Sequence, residues 1–256
     1  MKFLSRLVLP AVLAFFNLGG NLVAQSASVP VKNVVLVHGA FADGSSYAKV
    51  IPMLQAKGLH VVSVQIPLTS FDEDVAATKR AIDAQDGPVI LVGHSYGGVV
   101  ISETGNDPKV AGLVYLAAFA PDSGQNIVEI SKSFPKPPGM DTLAPQADGF
   151  VLLTPQGVKE NFAQDLSETE KNVLVAVQPM TAGAIFGAKV SKAAWHDKPT
   201  WYVVSSNDRM ISPEQEKSMA KQMNAATTVL PASHVVMLSH PTEVAAVIEK
   251  ATTLTK

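Results

Sequence analysis

The stretch VILVGHSYGGVV, residues 89–100, runs from an apolar segment into Gly93, sets one serine between His94 and Tyr96, and returns to glycine at Gly97 and Gly98. Residues 89–92 read as a buried strand and 97–104 as a helix. Gly93-His94-Ser95-Tyr96-Gly97 is therefore a G-x-S-x-G turn flanked by the two elements that give the pattern meaning. A turn this tight forces its central residue into a strained backbone conformation, and glycines two positions to either side remove Cβ atoms that would collide. The hydroxyl of Ser95 then stands above the sheet edge, where the next helix aims its free N–H groups and positive dipole end. A packing turn with an incidental serine is the plainer account, but the flanking strand and helix favour a nucleophile.

Outward from this turn, apolar strand-like runs alternate with helical patterns, the signature of an α/β fold whose mostly parallel central sheet of about six strands is flanked by helices. Strands are expected at 34–37, 60–66, 89–92, 110–116, 201–205 and 227–230. Helices are expected at 47–56, 75–84, 97–104, 213–223 and 241–253. From Pro121 to about Lys198 the alternation fails and prolines crowd at Pro135, Pro137 and Pro138. The spacing predicts a small helical cap inserted at about 121–198 into a single domain over 27–256.

A neutral serine hydroxyl needs a base and a group to orient that base. In this arrangement they follow in the order serine, acid, histidine, each in a loop after a later strand. His38, His60 and His94 precede or adjoin the serine, and His196 lies at the wrong end of strand 201–205. His240 immediately precedes Pro241 and reads as part of the turn into a helix. His234 follows the last strand within the loop begun by Pro231-Ala232-Ser233, where the base belongs. Asp208 lies three residues past Ser205 and is the expected acid, with a turn aspartate as its plainer reading. Asp197 precedes the strand, and Asp122 is the second candidate for the acid. The backbone N–H groups of Ala40, after the first strand, and of Tyr96 are the expected oxyanion donors, with His38 bracing the loop.

Composition narrows the partners. The chain has 256 residues, 47% of them hydrophobic and 16% charged, enough apolar material for a sizeable core. A formal charge of −2 leaves no basic surplus to neutralise phosphates, so the expected partner is a small molecule and not nucleic acid. No paired histidine spacing such as H-E-x-x-H occurs, so neither metal nor cofactor is expected and activity should survive chelators. Lys2 and Arg6 lead into an apolar run from Leu7 to Phe16 and then small residues, the order of a secretory signal peptide over residues 1–26. The run is far shorter than the ~20 residues that span a bilayer, which argues against a permanent membrane anchor. The expected location is periplasmic or secreted, and a chain without cysteine is indifferent to an oxidising compartment.

The segments VVLVHGAF, LVGHSYGG, GLVYLAAFAPD, SSNDRMISP and PASHVVMLSHP together resemble the α/β-hydrolases. Within them, the chain is similar to the compact group of bacterial pyrethroid-hydrolase-type carboxylesterases, plant methyl-ester esterases and hydroxynitrile lyases. The resemblance covers nearly all of the chain past residue 26. It implies the α/β-hydrolase fold, Ser95 as nucleophile, Asp208 as acid, His234 as base, and Ala40 and Tyr96 as oxyanion donors. The lyase members carry a lysine where this chain has Val235 and a threonine where it has Gly39. Esterase chemistry on a small ester is thus the stronger implication, with lyase, lactonase or amidase activity, or a non-catalytic binding role, as alternatives. Phe41, Tyr96, Phe119 and Val235, with Phe150, Phe162, Met180 and Phe186 of the cap, are the expected wall of an apolar pocket.

Overall fold

The computed structural model describes residues 31–253, so the expected export signal over 1–26 lies outside the described residues. In chain order the strands are β1 (Asn33–Val37), β2 (His60–Val64), β3 (Val89–His94) and β4 (Val110–Leu116), the cap strands β5 (Leu143–Pro145), β6 (Phe150–Leu153) and β7 (Thr181–Ala182), then β8 (Thr200–Ser205) and β9 (Ala226–Leu230). The helices are α1 (Val50–Gln55), α2 (Phe71–Asp83), α3 (Gly97–Thr104), α4 (Ile127–Ser131), α5 (Pro155–Gly157), α6 (Glu168–Val177), α7 (Pro213–Gln222), α8 (Val236–Ser239) and α9 (Pro241–Thr252). No helix among the described residues is long and apolar enough to cross a membrane.

The central sheet has six strands in the order β2-β1-β3-β4-β8-β9, all parallel. Every residue of β1 and β3 is buried, which is why both read as unbroken apolar runs and not as alternating ones. The edge strands β2 and β9 are more exposed and carry the polar Ser63, Thr227 and Thr228. From β1 the chain moves outward to β2 and then returns to the other side of β1 for β3. Adjacent strands whose connections leave in opposite directions open a crevice at their carboxyl ends. Val37 pairs with Gly93 and Ser205 with Leu230, so the loops after β1 and β3 emerge side by side, as do those after β8 and β9.

Several boundaries move for local reasons. The helix expected at 47–56 is divided into a 3-10 turn at Gly44–Tyr47 and α1. Helix α2 starts at Phe71, four residues before the expected 75, because Ser70 Oγ accepts the Glu73 N–H at 3.2 Å and Asp72, Glu73 and Asp74 sit at the positive dipole end. The cap corrects a larger expectation: it is mixed and not purely helical. Strands β5, β6 and β7 form an antiparallel sheet beside α4, α5 and α6. Strands of two to four residues, bounded by prolines, are too short to impose a period on the sequence.

Candidate active site

Ser95 occupies the turn between β3 and α3 with φ 51°, in the left-handed region that costs a non-glycine residue free energy. The surroundings hold it there. Ser95 N–H donates to the Leu116 carbonyl at 3.2 Å, and its own carbonyl accepts from Gly98 N–H at 3.0 Å and Phe119 N–H at 3.1 Å. A Cβ on Gly93 would come 2.6 Å from the Gly97 carbonyl oxygen, and one on Gly97 would come 2.5 Å from that of Val37. Only glycine lets α3 pack this closely against β1 and the loop beyond it.

Asp208 and His234 meet from neighbouring loops. His234 Nδ1 donates to Asp208 Oδ2 at 2.6 Å, with 2% and 0% of the two side chains exposed. The other carboxylate oxygen, Oδ1, accepts from Met210 N–H at 2.6 Å and Ile211 N–H at 3.0 Å, so the carboxylate is clamped before it meets the ring. Holding Nδ1 as the donor leaves Nε2 as the basic nitrogen. Among the described residues neither Nε2 nor Ser95 Oγ hydrogen-bonds another protein group, and Ser95 and His234 line the same cavity.

Around this pair two further histidines are fixed in the neutral form. His38 donates from Nδ1 to the Gly39 carbonyl at 2.9 Å and accepts the Ile66 N–H on Nε2 at 3.1 Å, which braces the loop after β1, and burial holds its pKa below the usual value. His94 donates from Nε2 to the His234 carbonyl at 2.9 Å, with its ring 4.8 Å from that of His234. Burial first, and then the neighbouring His234, push its pKa well down, so the nearest ring adds no positive charge. A Cβ on Gly39 would lie 2.7 Å from Ser95 Cβ, which puts the Ala40 loop directly against the serine. Neither the Ala40 N–H nor the Tyr96 N–H donates to another group among the described residues, and α3 has no side-chain cap. Two free donors beside a hydroxyl are the requirement of an oxyanion hole.

The cavity measures about 590 Å³ and is walled by Ala40, Phe41, Phe119, Phe162 and Phe186 together with the cap residues Ile127, Met140 and Leu143. Four expected wall residues, Val235, Phe150, Met180 and Tyr96, lie elsewhere. Val235 is fully buried in the core as the chain turns into α8; Phe150 belongs to the cap sheet, paired with Ala182; Met180 is 56% exposed. Hydrophobicity marked these three, but the direction of each side chain is set by packing that periodicity does not encode. Tyr96 is buried, and its hydroxyl donates to Asp74 Oδ2 at 2.8 Å instead of entering the cavity. His240 bonds Ser239 from Nδ1 at 2.9 Å, and Asp122 pairs with His196 at 2.7 Å; neither residue lines the cavity that holds Ser95. No group of three or more His, Asp or Glu among the described residues is arranged to hold a metal ion.

Two cap residues carry no motif, yet they reach the loops that bear His234 and Asp208. Asp165 Oδ2 accepts the Ser233 N–H and Gln164 Nε2 donates to the Asn207 carbonyl, both at 2.7 Å. The aspartate and glutamine types at these positions gave no signal, since either is ordinary on a surface.

This sheet, crevice and constellation define a class. The chain belongs to the alpha/beta hydrolase family, whose sequence model matches residues 34–247. Over 253 residues it is 24% identical to a pyrethroid hydrolase of Sphingobium wenxiniae, covering 85% of this chain and 86% of that one. Over 246 residues it is 26% identical to salicylic acid-binding protein 2 of Nicotiana tabacum, covering 84% and 95%. Its fold is similar to the crystal structure of a pyrethroid hydrolase from Sphingobium faniae, with a TM-score of 0.73, 23% identity and coverage of 86% of this chain and 97% of that one.

Proposed function

We propose that this protein is a serine ester hydrolase acting on small esters with a bulky apolar part. The reading is supported by one conjunction above all. A strained serine with a free Oγ and a histidine whose Nδ1 is held by Asp208 at 2.6 Å open onto one apolar cavity. His234 Nε2 takes the proton of Ser95 as Oγ attacks the ester carbonyl. Ala40 and Tyr96 donate to the oxyanion, and the protonated ring returns the proton to the departing alcohol. Water, activated by the same nitrogen, then releases the acid. Among the similar proteins, one is named a pyrethroid hydrolase and others are methylesterases of Arabidopsis thaliana, names that accord with ester cleavage. The aromatic lining from Phe41, Phe119, Phe162 and Phe186 favours an apolar acyl or alcohol group.

The test is hydrolysis of a p-nitrophenyl ester series with varied acyl chains by the parent protein and by Ser95→Ala. The parent is expected to turn over these esters. The variant is expected to lose at least about 10³-fold in kcat, because the residual rate of such a site comes from the oxyanion donors and binding alone. Equal rates would remove the nucleophile.

A further inference from the structure

We propose that Glu216 is a positioning residue of this site: a neutral carboxyl that donates its proton to the Asp208 carboxylate and thereby sets how strongly Asp208 draws on His234. This rests on the reading of Asp208 and His234 given above. Glu216 projects from α7 and is completely buried. Its Oε2 accepts the Ser205 N–H at 3.0 Å, while Oε1 is sealed from solvent and receives no N–H or O–H. Asp208 N–H donates to the carbonyl of the same Ser205 at 3.2 Å, so Glu216 and Asp208 meet at one residue, with their carboxyls close enough to share a hydrogen bond.

Two carboxyls in contact inside a protein cannot both be ionised without a counter-charge. Among the groups facing Glu216 the one positive charge is that of Lys217, which solvent screens. Lys217, the next residue of α7, is exposed at the surface. Tyr202 of β8 is neutral, its hydroxyl donating to the Ala118 carbonyl. His234 is already spent on Asp208. One proton must therefore lie between the two carboxyls, and the donor inventory decides where. Asp208 accepts from two backbone N–H groups and the imidazole, a setting made for a carboxylate. Glu216 has one N–H and one bare oxygen, which is the setting of a carboxylic acid whose proton sits on Oε1. Burial, and after it the charge of Asp208, push the Glu216 pKa well above the usual carboxylate range, in accord with that assignment. Each hydrogen bond donated to a carboxylate weakens its basicity, so the donor from α7 moderates the pull of Asp208 on the ring.

The experiment uses full-length Glu216→Gln and Glu216→Leu, the pH profile of kcat/KM on a p-nitrophenyl ester, and ¹³C NMR of the glutamate carboxyl carbons. Glutamine can donate to Asp208 and accept from Ser205. It is expected to keep kcat/KM within about threefold and the acid limb within about 0.3 pH units. Leucine strips a donor from Asp208 and strands the Ser205 N–H. It is expected to lower kcat/KM about tenfold or more and to move the acid limb upward, because a more basic carboxylate favours the imidazolium. At pH 7 one carboxyl carbon should resonate as a protonated acid, and that signal should vanish in Glu216→Gln. The proposal is overturned if Glu216→Gln lowers the acid limb by about one unit, as removal of a real negative charge would. It is equally overturned if Glu216→Leu matches the parent in both rate and profile, or if no protonated carboxyl is seen. Should the leucine variant fail to fold, the glutamine profile and the carbon spectrum still decide. The spectrum needs no substrate, so its failure is distinct from a fully active Ser95→Ala, which would sink the triad itself.

Discussion

Ser95 and Asp74 hold the two costs that the site carries residue by residue. The strain at Ser95 is local and is sustained by three backbone hydrogen bonds. Asp74 is fully buried, accepting the Leu68 N–H and the Tyr96 hydroxyl, each at 2.8 Å, and so anchors the side chain next to Ser95. Those bonds only partly offset its desolvation, and burial pushes its pKa up to about 6 from 3.8. A carboxyl raised in the folded state binds its proton there first, so stability is gained as pH falls from about 6 toward 3.8 and lost as pH rises through that window. Asp74→Asn keeps the acceptor for Leu68 and cannot ionise. In thermal melts, its Tm relative to the parent is expected to move in its favour by about 3 °C or more between pH 4.5 and pH 8. A difference that stays flat across that range would show that the carboxyl is not raised.

At the scale of elements, the decisive contact is α3 against β1. Helix α3 begins without a side-chain cap, which leaves the Tyr96 N–H free, and it is held instead by packing. Ser102 donates to the Gly98 carbonyl at 2.8 Å and meets the Tyr115 hydroxyl at 2.9 Å, while the rings of Tyr115 and Tyr202 stack at 6.0 Å. This buried polar layer supports the turn from beneath. In Gly97→Ala the new methyl would meet the carbonyl oxygens of Val37 at 2.5 Å and of His38 at 2.7 Å, both backbone atoms that cannot rotate away. Overpacking of this kind costs about 2 kcal/mol, or ~5 °C in Tm. It also parts the Ala40 loop from Ser95, so kcat is expected to fall about 100-fold, the cost of one lost oxyanion donor, while KM changes far less. An alanine variant with the parent's kcat would mean that the two elements do not set the donor geometry.

Over the whole molecule, the cap is fastened to the loops that bear Asp208 and His234, and the kind of bond decides how firmly. Lys49 of the hydrolase core reaches Glu170 of α6 at 2.6 Å, but both side chains are more than a third exposed, so screening leaves the pair little net worth. The bond from Ser233 N–H to Asp165 is different, because its donor is completely buried beside His234. Asp165→Ala leaves that N–H without a partner, at about 1–3 kcal/mol. Melting is expected to fall by ~3–6 °C, with a several-fold loss of kcat/KM and faster amide exchange around 231–235. Asp165→Asn, which retains an acceptor, is expected to recover most of the loss. If alanine and asparagine behave alike, the cap does not hold His234 through this bond.

By itself, the sequence determined whatever rests on local pattern. Unbroken apolar runs specified β1, β3 and β4, because a strand buried on both faces admits nothing else. The glycines around Ser95 specified a turn that other residues would block, and chain order picked out Asp208 and His234. Tertiary structure alone decided what depends on side chains far apart in the chain. It turned Val235 into the core and Met180 to solvent, built a small sheet into the cap from strands too short to leave a period, and buried Glu216 against the Ser205 N–H. A glutamate on an amphipathic helix looks the same in sequence whether it faces water or another carboxyl. Only the packing of α7 against β8 removes the water, and it is the removal of water that makes a second acid chemically significant.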